Sequence, residues 1–239
     1  MGSRRLPGKA LAEIAGKPLL QRLCSRMEQC RLADEVIVAT SDQREDDAIS
    51  DACAYWGFPV FRGPAKDLTT RLLGAVKATK LDAFVRVTAD NPLTDPFGID
   101  TLIETFLTIK RTRENNLAIV HNMHKRGYPY GTGAECISRA LLEFCDEHLS
   151  GDEERENFAW FAKQHPKQFK CIKSDAPPHV LRPQYFLTVD YAEDLALQRE
   201  IYRHFSGRDD MGLAEIVECL DANPALPKLN FHLHSQFAE

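Results

Sequence analysis

Apolar residues recur every three to four positions between residues 18 and 31, a spacing that predicts an amphipathic helix. Pro18 suits the first turn of this helix. The segments 35–40 and 83–88 are short and almost continuously apolar, which is typical of strands buried on both faces. The predicted apolar face of the first helix consists of Leu19, Leu20, Leu23, Cys24 and Met27. Similar patterns predict further helices at 45–56, 67–79, 97–112, 139–148, 153–164, 192–205 and 212–221. They predict further strands at 59–61, 117–120, 134–137, 169–173 and 185–189.

Helices and strands alternate through the first half of the chain at the spacing of α/β proteins. This alternation predicts a mostly parallel sheet with helices on both faces, within a single domain of residues 1–239. The tail from Asn223 onward has little periodicity, and the sequence assigns it no role. Ligands of such sheets bind beyond the carboxyl ends of the strands, so polar residues that follow strands are the first candidates for a site.

The composition and net charge limit the kinds of molecule that this protein is expected to bind. The chain has 239 residues and a formal net charge of -5, so we expect no extended nucleic-acid-binding surface. A small anionic ligand needs only a local basic patch. No apolar run approaches the roughly 18–20 residues of a membrane helix, and we expect no membrane insertion. The seven cysteines are scattered without a CxxC pair, and no secretory signal is visible, which predicts a cytoplasmic protein with reduced thiols.

The first candidate site is a segment near the start of the chain in which Arg5 and Lys9 flank a Pro-Gly turn. Pro7 restricts the loop, and Gly8 lets the backbone approach an anion closely. The planar guanidinium and the compact ammonium suit a polyphosphate, although a solvated turn is an alternative. The segment is not a P-loop, because five residues rather than four separate the glycines and Ala10 replaces the magnesium-binding Ser or Thr.

Two aspartates follow predicted strands. Asp90 opens a Pro-containing turn, and Asp190 directly follows the strand predicted at 185–189, just before a helix. Carboxylates in these positions suit a hard cation such as Mg²⁺, with an Asx-turn or a helix cap as the alternative for each. Neither a Gly-x-Ser-x-Gly motif nor a Cys/His arrangement suggests a covalent nucleophile.

These residues resemble the bacterial sugar cytidylyltransferases, specifically the branch related to spore-coat polysaccharide synthesis proteins. The acylneuraminate and 3-deoxy-manno-octulosonate cytidylyltransferases are more distant kin. The matching segments occur in family order and cover most of the chain to about residue 205. They are Gly2–Lys9 with Gly16–Pro18, Val38–Ser41, Arg86–Leu93 with Asp95 and Pro96, Pro129–Gly131 with Glu135, and Leu187–Asp190 with Glu193–Leu195.

The resemblance implies a three-layer α/β/α nucleotide-diphospho-sugar transferase fold of the GT-A, Rossmann-like type, with a mostly parallel mixed sheet. It implies transfer of CMP from CTP to a sugar, often an acidic one, with release of pyrophosphate, in polysaccharide or glycoconjugate synthesis. By the same resemblance Arg5 and Lys9 would be the catalytic residues that hold the triphosphate, and Asp90 and Asp190 would bind Mg²⁺. The resemblance further implies nucleotide or substrate binding by Ser41, Asp67, Arg71, Pro129, Gly131 and Glu135, with the Glu135 loop facing the sugar. A homodimer is expected by analogy only.

The chain departs from the family pattern in three places. Family members carry a strand before the Arg-Leu-Pro-Gly-Lys segment, central in the sheet, whose end helps to bind cytosine. Three explanations are open for the strand that the sequence does not show: the start of the chain is placed too late, this is a shortened version of the protein, or the protein lacks the strand. We favour the first. Ala89 stands where glycine is common, and Tyr130 and Gly133 replace acidic residues in the loop that would face the sugar.

Two other functions stay open on the sequence alone. One is a nucleotide- or sugar-binding protein without catalysis, which the missing family strand and the altered loop suggest. The other is a sugar-1-phosphate nucleotidylyltransferase that uses another base.

Overall fold

The α/β class predicted from the alternating pattern is confirmed by the computed structural model. It describes residues 1–3, 5–111, 116–123 and 127–234. Outside the described residues lie the predicted helix end at 112, the first residue of a Gly- and Tyr-rich loop that the sequence predicts at 126–133, and the last five residues of the tail. Ten α-helices lie within the described part: α1 Leu19–Met27, α2 Asp47–Trp56, α3 Leu68–Thr79, α4 Pro96–Arg111, α5 Arg139–His148, α6 Asp152–Glu156, α7 Phe158–Gln164, α8 Ala192–His204, α9 Leu213–Ala222 and α10 Lys228–His234.

The strands of the described ranges form three sheets. Their bounds are β1 Glu13–Ile14, β2 Lys17–Pro18, β3 Val38–Ser41, β4 Val60–Gly63, β5 Ala83–Arg86, β6 Ala118–His121, β7 Glu135–Ser138 and β8 Lys170–Lys173. β1 and β2 form a small antiparallel ribbon, and β3 pairs with β4 in parallel. The third sheet has the order β5-β7-β6-β8, with β7 antiparallel to both neighbours and β8 parallel to β6.

The sheet is interrupted between β3 and β5. Within the described residues no backbone hydrogen bond joins these two strands, so the single sheet predicted from the sequence is divided. A cavity of about 730 Å³ lies between them, lined largely by apolar side chains of α1, α3 and α4. The resemblance places a central strand before Arg5, and the described residues there contain none.

The predicted strand at 185–189 is wrong in its detail. The segment is extended but forms only an isolated bridge between Tyr130 and Phe186. Its polar backbone groups pair with a loop and with side chains rather than with a ladder: Tyr130 exchanges two hydrogen bonds with it, and Gln198 Nε2 donates to Leu187 O. Such pairing satisfies the backbone as well as a strand does, and sequence periodicity does not distinguish the two.

Two helical predictions also need correction. The helix predicted at 153–164 is divided into α6 and α7 at Asn157, where φ is -111° and ψ is 29°. The side-chain amide of Asn157 donates from Nδ2 to Glu153 O, and such a local side-chain bond competes with helix geometry. The tail without periodicity contains α10, whose inward face is polar rather than apolar, with Asn230 and His234 buried.

The packing of α1 agrees with its predicted face, because all five of the apolar residues named for it are buried. Two buried arginines on the same helix, Arg22 and Arg26, were not predicted. Arg22 donates to Gly207 O and to Asp209 Oδ1, at 2.6 and 2.8 Å, and its guanidinium lies over the ring of Tyr202. These bonds fix the turn after α8 against α1, which holds the carboxyl-terminal helices beside the start of the chain.

Candidate active site

The cationic segment is held by its turn. Gly8 has a φ of +74°, in the region that favours glycine, and a short 3-10 helix, Lys9–Leu11, begins directly after it. The side chain of Leu6 packs against the buried cluster of α8 and α9, so the turn is anchored to the core. Arg5 and Lys9 therefore project from a fixed loop rather than from a free end.

The two predicted aspartates lie side by side. Asp90 follows β5, and its carbonyl accepts a hydrogen bond from Val189 N at 2.8 Å. This bond ties the loop after β5 to the extended segment that ends at Asp190. About a hundred residues separate the two aspartates in sequence, yet one backbone bond between these segments keeps their side chains together.

Lys9 lies between the two carboxylates. Its ammonium Nζ is 3.0 Å from Asp90 Oδ2, 3.0 Å from Asp190 Oδ1 and 2.7 Å from Val189 O. Arg5 Nη2 is 2.9 Å from the same oxygen of Asp190. The structure thus brings Arg5, Lys9, Asp90 and Asp190 into one cluster, which we call the aspartate–lysine cluster.

The cluster faces solvent on one side. The side chain of Arg5 is 54% exposed, whereas that of Lys9 is 16% exposed, so the two cations differ in how readily they reach a ligand. The guanidinium of Arg5 lies 5.2 Å from the ring centroid of Tyr191. A side-chain hydrogen bond with Tyr191 raises the pKa of Arg5, and the charges of Asp190 and Asp90 add to that effect. Arg5 is therefore a permanently charged, solvent-facing group at the mouth of the cluster.

The donor set of the cluster fits Mg²⁺ bound together with a nucleotide. Across the described residues no three His, Cys, Asp or Glu side chains come close enough to hold a metal ion by themselves. Mg²⁺ characteristically takes one or two protein carboxylates and fills its other positions with water and phosphate oxygens. The two aspartate oxygens that meet at Lys9 Nζ are such a pair, and a magnesium role for them stays a prediction.

A second charged group surrounds Glu135. Its two oxygens accept from Arg86 Nη1 at 2.8 Å and from Lys163 Nζ at 2.6 Å. Burial acts to raise the pKa of Glu135, but the two cations outweigh it and hold the pKa below its usual range. The side chain of Glu135 is 2% exposed and both of its oxygens are paired with cations, so a sugar-binding role for Glu135 stays a prediction.

The loop that contains Pro129 and Gly131 supports an exposed tyrosine. Pro129 is buried, and its carbonyl accepts from the amide and the hydroxyl of Thr132. Gly131 has a φ of +90°, and a Cβ there would lie 2.4 Å from Thr188 N. The two residues shape the loop, whereas Tyr130 projects from it. Partial desolvation and the charges of Asp190 and Asp90 raise the pKa of Tyr130.

Ser41 lies at the carboxyl end of β3. Its hydroxyl and its amide both donate to Asp46 Oδ2, at 2.6 and 3.2 Å. Burial acts to raise the pKa of Asp46, but bonds from the Met1 ammonium, Ser41 and Thr40 lower it to about 2. The hydroxyl of Ser41 is engaged within this group, and a nucleotide-binding role stays a prediction.

Asp67 and Arg71 belong to the first turn of α3. Asp67 caps the helix by accepting from Thr70 N at 2.9 Å, and it also accepts from Arg155 Nε at 2.8 Å. Arg71 donates to Pro64 O and lines the cavity between β3 and β5, as Arg86 does. Within the described residues neither Asp67 nor Arg71 bonds to the aspartate–lysine cluster, so their substrate-binding roles stay predictions.

Sequence reasoning missed several partners of these residues. Lys163 carried no signal, because a lysine on a surface helix is ordinary and its partner lies 28 residues away. Arg86 belongs to a segment matched by the resemblance, and its position at the end of a buried strand was the available signal. Tyr191 directly follows Asp190, but nothing in the sequence indicated that Arg5 lies over its ring.

The described residues contain no helix with the length and apolar character that crossing a membrane requires. The fold is close to that of a solved cytidylyltransferase from Leptospira borgpetersenii, with a TM-score of 0.86 and 27% identity over 95% of this chain and 92% of that one. This likeness confirms the predicted nucleotidyltransferase fold.

Sequence relatives give the same picture. The spore coat polysaccharide biosynthesis protein SpsF of Bacillus subtilis is 29% identical over 229 residues, which are 94% of this chain and 92% of that protein. The 3-deoxy-manno-octulosonate cytidylyltransferase of Anaeromyxobacter sp. (strain K) is 38% identical over 104 residues, 43% of this chain and 42% of that enzyme. A family model for cytidylyltransferases matches residues 1–206, and the chain therefore belongs to the cytidylyltransferase family of nucleotidyltransferases.

Proposed function

We propose that this enzyme transfers CMP from CTP to an acidic sugar, with Mg²⁺ as cofactor and pyrophosphate as the second product, in polysaccharide or glycoconjugate synthesis. The observation that carries the proposal is the convergence of Arg5 and Lys9 on Asp90 and Asp190. Two cations and two carboxylates at one sheet edge are what a nucleoside triphosphate with its metal ion requires. A cytoplasmic location and a homodimer remain predictions.

The chemistry needs positioning and charge neutralisation rather than a covalent nucleophile. A sugar hydroxyl attacks the α-phosphorus in line, the bond to the bridging oxygen breaks, and pyrophosphate leaves with its electron pair. The hydroxyl proton passes to solvent. Mg²⁺, when bound, supplies charge neutralisation at the triphosphate.

The residues of the chain divide this work. Asp90 and Asp190 would hold the ion, and Lys9 lies close enough to exchange its carboxylate partners for phosphate oxygens when a triphosphate enters. Arg5, the more exposed cation, would bind the outer phosphates and stabilise the charge that develops on the departing pyrophosphate. Arg86 at the end of β5 is the cation that would face the substrate side, since Glu135 leaves part of its guanidinium unpaired.

The substrate class is supported by the relatives. One is named as a 3-deoxy-manno-octulosonate cytidylyltransferase, and that substrate is an acidic sugar. Another is named for spore coat polysaccharide biosynthesis. A carboxylated sugar also suits the side of the cavity at which Arg71 and Arg86 lie.

The test is release of pyrophosphate from CTP with Mg²⁺ and a panel of acidic sugars, with UTP and GTP as competing bases and a related enzyme as a positive control. We expect turnover with CTP, and a loss in Asp90→Asn larger than the roughly 10–100-fold typical for an outer partner of a metal ligand, because the ion-binding carboxylate itself becomes a neutral amide. Asp51→Asn, at an exposed position on α2, is the matched control and should behave as wild type.

Three outcomes would count against the proposal. No pyrophosphate with any sugar, while the positive control works, would reject catalysis. Tight CTP binding by calorimetry without turnover would favour the nucleotide-binding alternative, for which the divided sheet is the motivating observation. Faster turnover with another base would favour a sugar-1-phosphate nucleotidylyltransferase.

A further inference from the structure

The short helix α10 lies outside the part of the chain that the family model matches, which ends at residue 206. Two of its side chains point inward: Asn230 is 1% exposed and His234 is 4% exposed. Polar side chains are buried this deeply when they satisfy another buried polar group. Both of these reach the same one, the carboxylate of Asp194 in α8.

Each of the two carboxylate oxygens of Asp194 accepts from a different pair of donors. Oδ1 accepts from Asn230 Nδ2 at 2.7 Å and from His234 Nε2 at 2.8 Å. Oδ2 accepts from the backbone amides of Asp190 and Tyr191, at 2.9 and 2.8 Å. One fully buried carboxylate therefore connects α10 to the peptide that carries a proposed magnesium ligand.

An ordinary helix cap explains only half of this arrangement. A carboxylate in the third position of a helix commonly accepts from the amide that precedes the helix, which accounts for Oδ2. It does not account for two donors from a separate helix on Oδ1. Those donors fix the rotation of the carboxylate, and the rotation fixes where the amides of Asp190 and Tyr191 point.

His234 also contacts the same region through its ring. It stacks on Phe186 with a centroid distance of 4.9 Å and an interplanar angle of 15°, and it makes an edge contact with Tyr191 at 6.1 Å. Tyr191 in turn lies under the guanidinium of Arg5. Through Asp194 and Tyr191 the helix therefore supports both Asp190 and Arg5, although none of its described residues bonds to either of them.

We propose that α10 positions the active site: Asn230 and His234 orient Asp194, and Asp194 sets the backbone that aims Asp190 and Tyr191. This proposal rests on the proposed function, because it treats Asp190 as a magnesium ligand. Asn230, His234 and Asp194 are positioning residues and make no contact with the reacting atoms. The tail of the chain thereby gains a role that the family match does not assign.

The experiment measures the Mg²⁺ concentration that gives half-maximal rate, together with kcat, in full-length His234→Ala and Asn230→Ala. We expect the required Mg²⁺ concentration to rise about tenfold in each, the low end for loss of an outer partner of a metal ligand. His234→Gln should restore most of the Mg²⁺ affinity, because its terminal amide donates from nearly the same place. His232→Ala, at an exposed position on the same helix, is the matched control.

A second readout separates positioning from simple stability and from failure of the proposed function. Hydrogen exchange of the Asp190 and Tyr191 amides should be faster in His234→Ala than in His232→Ala, and this measurement needs no turnover. A wild-type protein without turnover would reject the proposed function, and the exchange rates would then decide the positioning role. An active His234→Ala with unchanged Mg²⁺ dependence, whatever its melting temperature, would overturn the inference, as would unchanged amide exchange.

Discussion

At the scale of single residues, the two oxygens of Glu135 face two different cations inside the protein. Arg86 approaches from β5 and Lys163 from α7, so one carboxylate joins a strand end to a helix. Because the cations outnumber the carboxylate, the group keeps a net positive charge beside the cavity. Removing the carboxylate would leave two partly buried cations close together without compensation.

We predict that Glu135→Gln lowers the free energy of unfolding at pH 7 by about 3–5 kcal/mol, since breaking a buried ion pair leaves uncompensated charge. The lower part of that range applies because both cations keep some contact with solvent. Denaturant unfolding measures the change. The control is Glu143→Gln, which breaks a surface pair with Arg139 four residues away and should cost only about 0.3–0.5 kcal/mol. Equal costs in the two variants would contradict the buried-pair account.

The same carboxylate predicts an acid dependence of stability. The pKa of Glu135 is lowered in the folded protein from its ordinary value of 4.5. A group with a depressed folded pKa contributes stability above its unfolded pKa and loses it as the pH falls through the folded value. Wild-type stability should therefore fall below about pH 4.5, and Glu135→Gln should show a shallower fall in that window. Parallel pH profiles for the two proteins would contradict this.

At the scale of elements, the loop around Gly131 is pressed against the extended segment after Tyr185. Tyr130 exchanges backbone bonds with that segment, and Gly131 passes so close to Thr188 that only a residue without a Cβ fits. The loop consequently has little freedom, although it lies outside any strand. The two backbone bonds therefore hold Tyr130 at a set position on the extended segment.

A strained backbone alone costs about 1–3 kcal/mol. We predict that Gly131→Ala destabilises the protein by more than this, because the added Cβ clashes with Thr188 in addition to the positive φ. Gly57→Ala is the matched control, since Gly57 has a φ of +86° but no atom within 4 Å of the added Cβ. Thermal or denaturant unfolding of both variants measures the difference. A smaller cost at Gly131 than at Gly57 would show that the loop yields freely.

Local pattern predicted the elements better than it predicted their partners. The helix at 139–148 agrees with α5, because its caps and apolar face are encoded within ten residues. The segment 185–189 was wrongly predicted as a strand, and the helix α10 was not predicted. Their backbones and buried faces pair with groups from distant parts of the chain. Local periodicity carries no information about such contacts.

At the scale of the whole molecule, the site depends on parts that are far apart in sequence. The cationic turn, the ends of two strand-like segments and the tail helix meet at one edge of the sheet. The strand ends expected at Asp90 and Asp190 made the convergence of these two residues predictable, because the carboxyl ends of strands share an edge, although the segment before Asp190 is extended without being a strand. The insertion of Lys9 between them and the support from His234 were not predictable, since both depend on three-dimensional packing.

The central claim is that this edge binds Mg²⁺ together with a nucleoside triphosphate, and a crystal structure with Mg²⁺ and a non-hydrolysable CTP analogue tests it most directly. The account predicts the ion between the carboxylates of Asp90 and Asp190, with Lys9 turned toward the phosphates and Arg5 at their outer end. A triphosphate bound elsewhere, or an ion that contacts neither aspartate while Lys9 stays bonded to both carboxylates, would contradict it.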